Sequence, residues 1–206
     1  AGNENKPYFL ILDEMNMSYV ERYFADFLSA MESHESIPLW DEKGKEVPTS
    51  ITLPNNLFIV GTINVDETTY MFSPKVLDRA NVIEFRINKG QMGEYLDGTC
   101  SLKPLEKLTE YASDFVNISS DKVSISLDDS MKTTLLGVFD TLSQIQKEFG
   151  YRTASEMSRF IGLMKTYAKM SDDKAVDSAI VQKLLPKVHG SRKKVSPVLK
   201  SLWKIC

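Results

Sequence analysis

Cysteine and histidine are scarce, with two of each in 206 residues. Cys100 and Cys206 have neither metal-type spacing nor the makings of a disulfide framework, which suits a reducing cytoplasm. His189 has no Cys, His or acid near it at ligand spacing and reads as structural. No apolar run approaches the ~20 residues that cross a bilayer, so no membrane partner is expected. No basic-then-apolar leader marks a secretory signal. Neither sign of charge dominates: the net charge of −3 predicts no strong general attraction to nucleic acid. Repeats and low-complexity tracts are absent. So is Gly-x-x-x-x-Gly-Lys-Ser/Thr, the loop that cradles phosphates through backbone N–H groups. What remains is an ordinary globular composition, 42% hydrophobic and 26% charged, sized for one substantial domain or one and a small second.

The most informative stretch is Phe9-Leu10-Ile11-Leu12-Asp13-Glu14-Met15-Asn16. Four apolar residues run into an acidic pair. Such a run fits a strand buried on both faces, as in a parallel sheet. Carboxylates at the C-terminal end of that strand stand where open α/β sheets bind ligands. This is the form of a Walker B element, whose first acid serves Mg²⁺ and whose second polarises the attacking water. A second buried-strand run, Leu57-Phe58-Ile59-Val60-Gly61-Thr62-Ile63, ends in Asn64. Val65-Asp66-Glu67-Thr68-Thr69 follows, then Phe72-Ser73-Pro74-Lys75-Val76-Leu77-Asp78-Arg79-Ala80.

In the order and spacing of Asp-Glu, Asn and Leu-Asp-Arg, the chain resembles the AAA+ superfamily. It looks most like the branch that holds the McrB-type motors of methyl-directed restriction systems and the MoxR-type ATPases. The resemblance runs from about Tyr8 to Phe85 and returns near Gly150. It implies a fold in two parts, α/β followed by α: the C-terminal part of a P-loop AAA+ parallel-sheet core over 1–88, and a helical lid over 89–206. In that family the phosphate loop precedes the Walker B strand, and here only a dozen residues precede Asp13. Residues 1–6 lack a starting Met and read as loop. The expectation is a fragment, inactive alone, of a longer oligomeric motor.

The resemblance also assigns roles. Asp13 would serve the Mg²⁺ shell, which favours one or two carboxylates plus waters and phosphates. Glu14 would orient the attacking water. Asn16 matches the Asn of Asp-Glu-x-Asn, and either holds Glu14 or begins a helix as a cap. Asn64 matches the sensor-1 Asn, whose amide can donate to the γ-phosphate or the water; an Asx turn is the plain alternative. Arg79 matches the arginine finger, which reaches the nucleotide of the next subunit in a ring. A salt bridge with Asp78 or at the helix end is the alternative, and the consecutive arginines usual in the McrB type are missing. Arg152, in Gly150-Tyr151-Arg152-Thr153, matches sensor 2, with Arg159 the other bearer. A cation at a helix start opposes the macrodipole, a weak hint of use. Asp66 and Glu67 are expected to be solvated loop acids.

Between and beyond these motifs the pattern is mostly helical. Residues 18–33 carry Tyr19, Val20, Tyr23, Phe24, Phe27, Leu28 and Met31 at helical spacing, with Ser18 and Glu21 as a capping box. Residues 37–53 read as a hairpin turning at Asp41–Lys45, covering the sheet edge or facing a pore. Residues 82–87 read as a last core strand and 88–103 as a glycine-containing linker. Residues 104–117 could form a short helix. Helices are expected near 127–149, 152–170, 175–185 and 195–205, with Gly150 ending the first.

From Ser178 to Cys206 there is no acid, while Lys183, Lys187, Arg192, Lys193, Lys194, Lys200 and Lys204 fall within it. Such a block can track a phosphate backbone, face an acidic subunit or solubilise a helix end. Leu184–Gly190 resembles the lid region of the restriction-associated McrB-like proteins. The implied cofactors are Mg²⁺ and ATP or GTP, and the implied partners are further copies in a ring, a nuclease subunit and DNA. Two other readings stand beside this one: a MoxR-like chaperone ATPase and a non-hydrolysing AAA+-like scaffold.

Overall fold

The computed structural model describes residues 3–40, 48–64, 71–98, 109–121 and 127–205. The first apolar run forms β1 (Tyr8–Leu12). Two short helices follow, α1 (Val20–Tyr23) and α2 (Ala25–Ser33), then strands β2 (Ile37–Pro38), β3 (Ser50–Ile51) and β4 (Leu57–Gly61). β1 and β4 pair in parallel, from Tyr8 opposite Leu57 to Leu12 opposite Gly61. The two apolar runs thus end side by side, and their C-terminal residues meet.

Residues 18–33 differ from the single helix expected. Phe24 leaves helical geometry (φ −114°, ψ 14°) and separates α1 from α2. Its ring is buried in a cluster with Val20, Leu28 and Val76, and stacks on Phe27 at 4.7 Å between centroids. Tertiary packing outweighs helix propensity at this position. The Ser18–Glu21 capping box does not form. Tyr19 precedes α1 without a side-chain cap, and Glu21 instead accepts the Ser73 N–H at 2.9 Å.

The hairpin is present as β2 and β3, antiparallel with Ile37 opposite Ile51; its turn, 41–47, lies outside the described residues. Residues 82–87 form no strand. They have no regular secondary structure, and Ile83, Phe85 and Ile87 are exposed, Phe85 at 93%; no strand among the described residues pairs with them. Their first N–H, that of Val82, goes instead to Gln182 O at 3.0 Å. The linker expected over 88–103 is a helix at its start, α4 (Lys89–Leu96), after the short α3 (Pro74–Leu77). A reciprocal capping box starts α4: Asn88 accepts the Gln91 N–H at 2.9 Å, and Gln91 accepts the Asn88 N–H at 3.0 Å.

The later chain is helical. α5 (Ala112–Ser120) corresponds to the short helix expected from 104, whose first residues lie outside those described. α6 (Asp129–Ser143), α7 (Tyr151–Tyr167), α8 (Asp172–Lys183) and α9 (Arg192–Ile205) stand where four helices were expected. α6 stops at Ser143, earlier than Gly150; Gly150 is the residue before α7 and opens that helix. The α6 stripe is buried as its spacing requires: Met131, Leu135, Val138 and Leu142 meet Met157 and Ile161 of α7, Ala175, Ala179 and Ile180 of α8, and Val198 and Leu202 of α9. Each such aliphatic side chain removed from water contributes about 1.5–3 kcal/mol.

Candidate functional site

The acidic pair follows β1 directly. The ladder continues past the strands: the Thr62 N–H reaches Leu12 O at 3.0 Å and the Met15 N–H reaches Thr62 O at 3.0 Å. This places Thr62 against both acids. Its hydroxyl oxygen accepts the Glu14 N–H at 2.9 Å, and the same hydroxyl donates to Asp13 Oδ1. Glu14 sits in the left-handed region (φ 48°, ψ 43°), which a residue with a Cβ adopts at a cost. The close turn also explains Gly61. A Cβ there would lie 1.9 Å from Met15 Sδ, so any side chain at this position requires the Met15 thioether to move aside.

Asn64 comes to the same place. Its Nδ2 donates to Glu14 Oε1 at 3.4 Å, a long contact that orients the carboxylate. Asn16 takes neither of its expected places. It is buried in the 3-10 turn Met15–Met17, and its Nδ2 donates to Asn64 O at 3.1 Å. It therefore holds Asn64, which in turn faces Glu14. Asn16 Oδ1 is buried without a hydrogen-bond partner among the described residues, an acceptor poorly satisfied for its position. Asp13, Glu14, Asn16 and Asn64 thus form one cluster at the C-terminal end of two parallel strands, with Thr62 at its centre. Thr62 is the member that sequence reasoning missed. Its signal was positional: it is the first residue past β4, opposite the first acid past β1.

Among the described residues no group of three His, Cys, Asp or Glu could hold a metal alone. The cluster offers two carboxylates, a hydroxyl and two amides. That hard oxygen set, too small for a full protein cage, fits an ion such as Mg²⁺ that keeps waters and takes substrate phosphates as further ligands.

Arg79 and Arg152 lie elsewhere, at the contact of α2 and α3 with α7. Arg79 follows α3 and is mostly buried. Its Nε donates to Leu28 O at 3.0 Å, one terminal nitrogen to Lys75 O at 2.6 Å, and the other to Glu32 Oε2. Burial draws its pKa down, and the like charge of Arg152 adds to this while Glu156 opposes it. Arg152 pairs with the other Glu32 oxygen, and its Nε lies 4.0 Å from Glu156. One carboxylate therefore bridges the two arginines.

The charges continue from there. Lys183, only 3% exposed, pairs with Glu156 and donates to Ala80 O at 3.1 Å. Lys187 reaches Asp78 at 2.5 Å and Thr153 Oγ1 at 3.4 Å. Asp78 and Arg79 thus pair with different partners: of the alternatives to the finger, the Asp78–Arg79 bridge is not formed, and Arg79 pairs with Glu32 instead. Arg159 donates to Ser119 O and Asp121 O at the end of α5, which engages it away from the cluster. His189 Nε2 lies 3.4 Å from Lys147 Nζ at the surface. Asp66 and Glu67 lie outside the described residues. No helix among the described residues is long and apolar enough to cross a membrane.

No curated protein and no solved structure matches the chain. One family model matches residues 101–206, which hold α5 to α9 and lie wholly beyond the acidic cluster. That match spans just over half of the sequence, and the chain belongs to the family described as Domain of unknown function (DUF8727).

Proposed function

We propose that this chain is a portion, lying after the phosphate loop, of an oligomeric AAA+-like nucleoside triphosphatase, of the McrB-like restriction type, that drives a partner nuclease. The observation that carries the reading is the convergence of Asp13, Glu14, Thr62 and Asn64 at the C-terminal end of two parallel strands. Asp13 would hold Mg²⁺, which when bound neutralises charge on the phosphates of ATP or GTP. Glu14 accepts a proton from the attacking water, and Asn64 orients the Glu14 carboxylate for it. Thr62 fixes both acids from the neighbouring strand. Arg152 would supply a cation from the helical part, and Arg79 one to the next copy in a ring. The phosphate-cradling loop is not in this sequence. Hydrolysis is therefore proposed for a longer chain that includes it.

A specific observation favours a second reading, that of a non-hydrolysing scaffold. Arg79 is held on its own chain by Leu28, Lys75 and Glu32, and must leave at least Glu32 to serve another copy. One experiment separates the two. In the longer protein, Glu14→Gln and Arg79→Ala should each abolish ATP and GTP hydrolysis, and mixing the two variants should restore part of it. Restoration supports a site shared between copies. A wild-type protein that hydrolyses neither nucleotide overturns the motor reading and leaves the scaffold.

A further inference from the structure

Five cations of the acid-free segment stand on α9, which has a divided surface. Val198 and Leu202 are buried against the helical core, with Ile205 packed beside them. At 3.6 residues per turn the other side carries two neighbouring stripes. One holds Lys193, Lys200 and Lys204; the other holds Arg192, Leu199 and Trp203. Lys200 and Lys204 are about 6 Å apart along the axis, one turn. The Trp203 indole is 86% exposed, in a shallow concavity lined by Ser196, Leu199, Lys200 and Lys204. Arg192, Lys193, Lys194, Lys200 and Lys204 take no ion-pair partner among the described residues. Lys183 and Lys187, from the same segment, do.

We propose that this face of α9 binds single-stranded nucleic acid, its cations following the phosphates and Trp203 stacking on an unpaired base. The net charge of −3 hides this because α9 carries five cations and no acid, while the chain's acids lie elsewhere. A row of cations beside an open aromatic ring is the combination that single strands use, since every base has a π-face and every linkage a charge. A duplex would meet the cations but leave the indole nothing to stack on. An anionic membrane is the poorer fit. A helix lying in a lipid surface needs a broad outward apolar face, and outside the face buried in the core α9 exposes only Leu199 and Trp203 as large apolar side chains. Binding at this face does not depend on the hydrolase reading.

The test uses the chain as it stands and a short fluorescent thymidine oligonucleotide, read by anisotropy at low salt. The wild type should bind it. Trp203→Ala should weaken binding roughly tenfold. Lys200→Gln with Lys204→Gln should flatten the slope of log affinity against log salt by about 1.4, that is ~0.7 for each phosphate no longer neutralised. A duplex of the same length should bind without responding to Trp203→Ala. These side chains project outward, so circular dichroism should be unchanged in every variant. Absence of binding by the wild type overturns the proposal. So does binding that neither variant alters, or capture by phosphatidylserine vesicles in place of the oligonucleotide. A longer protein that hydrolyses no nucleotide yet keeps oligonucleotide binding would sink the motor reading and leave this one.

Discussion

Thr62 donates its hydroxyl hydrogen to Asp13 across the parallel pair, and the same oxygen accepts the Glu14 N–H at 2.9 Å. One hydroxyl thereby sets both acids. Thr62→Val keeps the shape and removes the donor and the acceptor together. In the longer protein it should lower hydrolysis roughly tenfold, about the worth of one lost hydrogen bond at the site. Thr62→Ser should retain most activity. Unchanged hydrolysis in Thr62→Val would mean that the hydroxyl plays no part, and a loss confined to Thr62→Ser would mean that the methyl group matters instead.

Glu32 bridges Arg79 and Arg152, and so ties α2 to α7. Glu32→Gln removes the charge that both guanidinium groups face. Its side chain is half exposed, so the expected cost is about 1 kcal/mol. A fall in the urea midpoint at constant slope would show it. In a double-mutant cycle with Arg152→Ala the two losses should not add. Additive losses would mean that the bridge carries no coupling.

Asp128 caps α6 by accepting the Met131 N–H at 2.8 Å, which holds its carboxyl below the ordinary value of 3.8. The unfolded chain therefore binds the proton first as the pH falls. The contribution is fully present above about pH 4, near the unfolded value, and is lost as the pH falls through the folded one. Asp128→Asn should keep a cap and lose this pH dependence, seen as a smaller fall of Tm between about pH 5 and about pH 3. An identical fall in wild type and variant would mean that Asp128 plays no part in the acid response.

Ile161 is fully buried where α6, α7 and α8 meet. Ile161→Ala should cost about 2–5 kcal/mol in chemical denaturation, by lost transfer and a residual cavity. A change under about 1 kcal/mol would mean that this core collapses onto the gap.

The legible parts of the chain were those in which one short-range pattern settles the matter. The apolar runs Phe9–Leu12 and Leu57–Val60 and the Met131–Leu142 stripe declare strand and helix from local pattern, and they form so, but the expected burial on both strand faces is not met: Phe9, Ile11 and Val60 are exposed. The proximity of Asp13, Glu14 and Asn64 follows once those strands lie in register. What escaped depends on residues distant in sequence. Phe24 breaks a helix because Val76 and Leu28 pack on it, and Glu21 leaves its capping role for Ser73. Glu32, between two arginines, carried no motif. The α4 capping box was visible as Asn88-x-x-Gln91, but the glycines at 90 and 93 masked it as linker. For 82–87 the alternating pattern is that of a strand, but Phe85 is exposed and no strand among the described residues pairs with the segment.

The most direct test of the central claim is phosphate release from ATP and GTP by the longer protein, comparing wild type with Asp13→Asn, Glu14→Gln and Asn64→Ala. Turnover is expected in the wild type, with losses of about 100-fold or more for both acid variants, the scale of general-base and metal contributions. A smaller loss is expected for Asn64→Ala. Turnover in Glu14→Gln equal to the wild type would contradict a catalytic role for the acidic pair, whatever the other variants do.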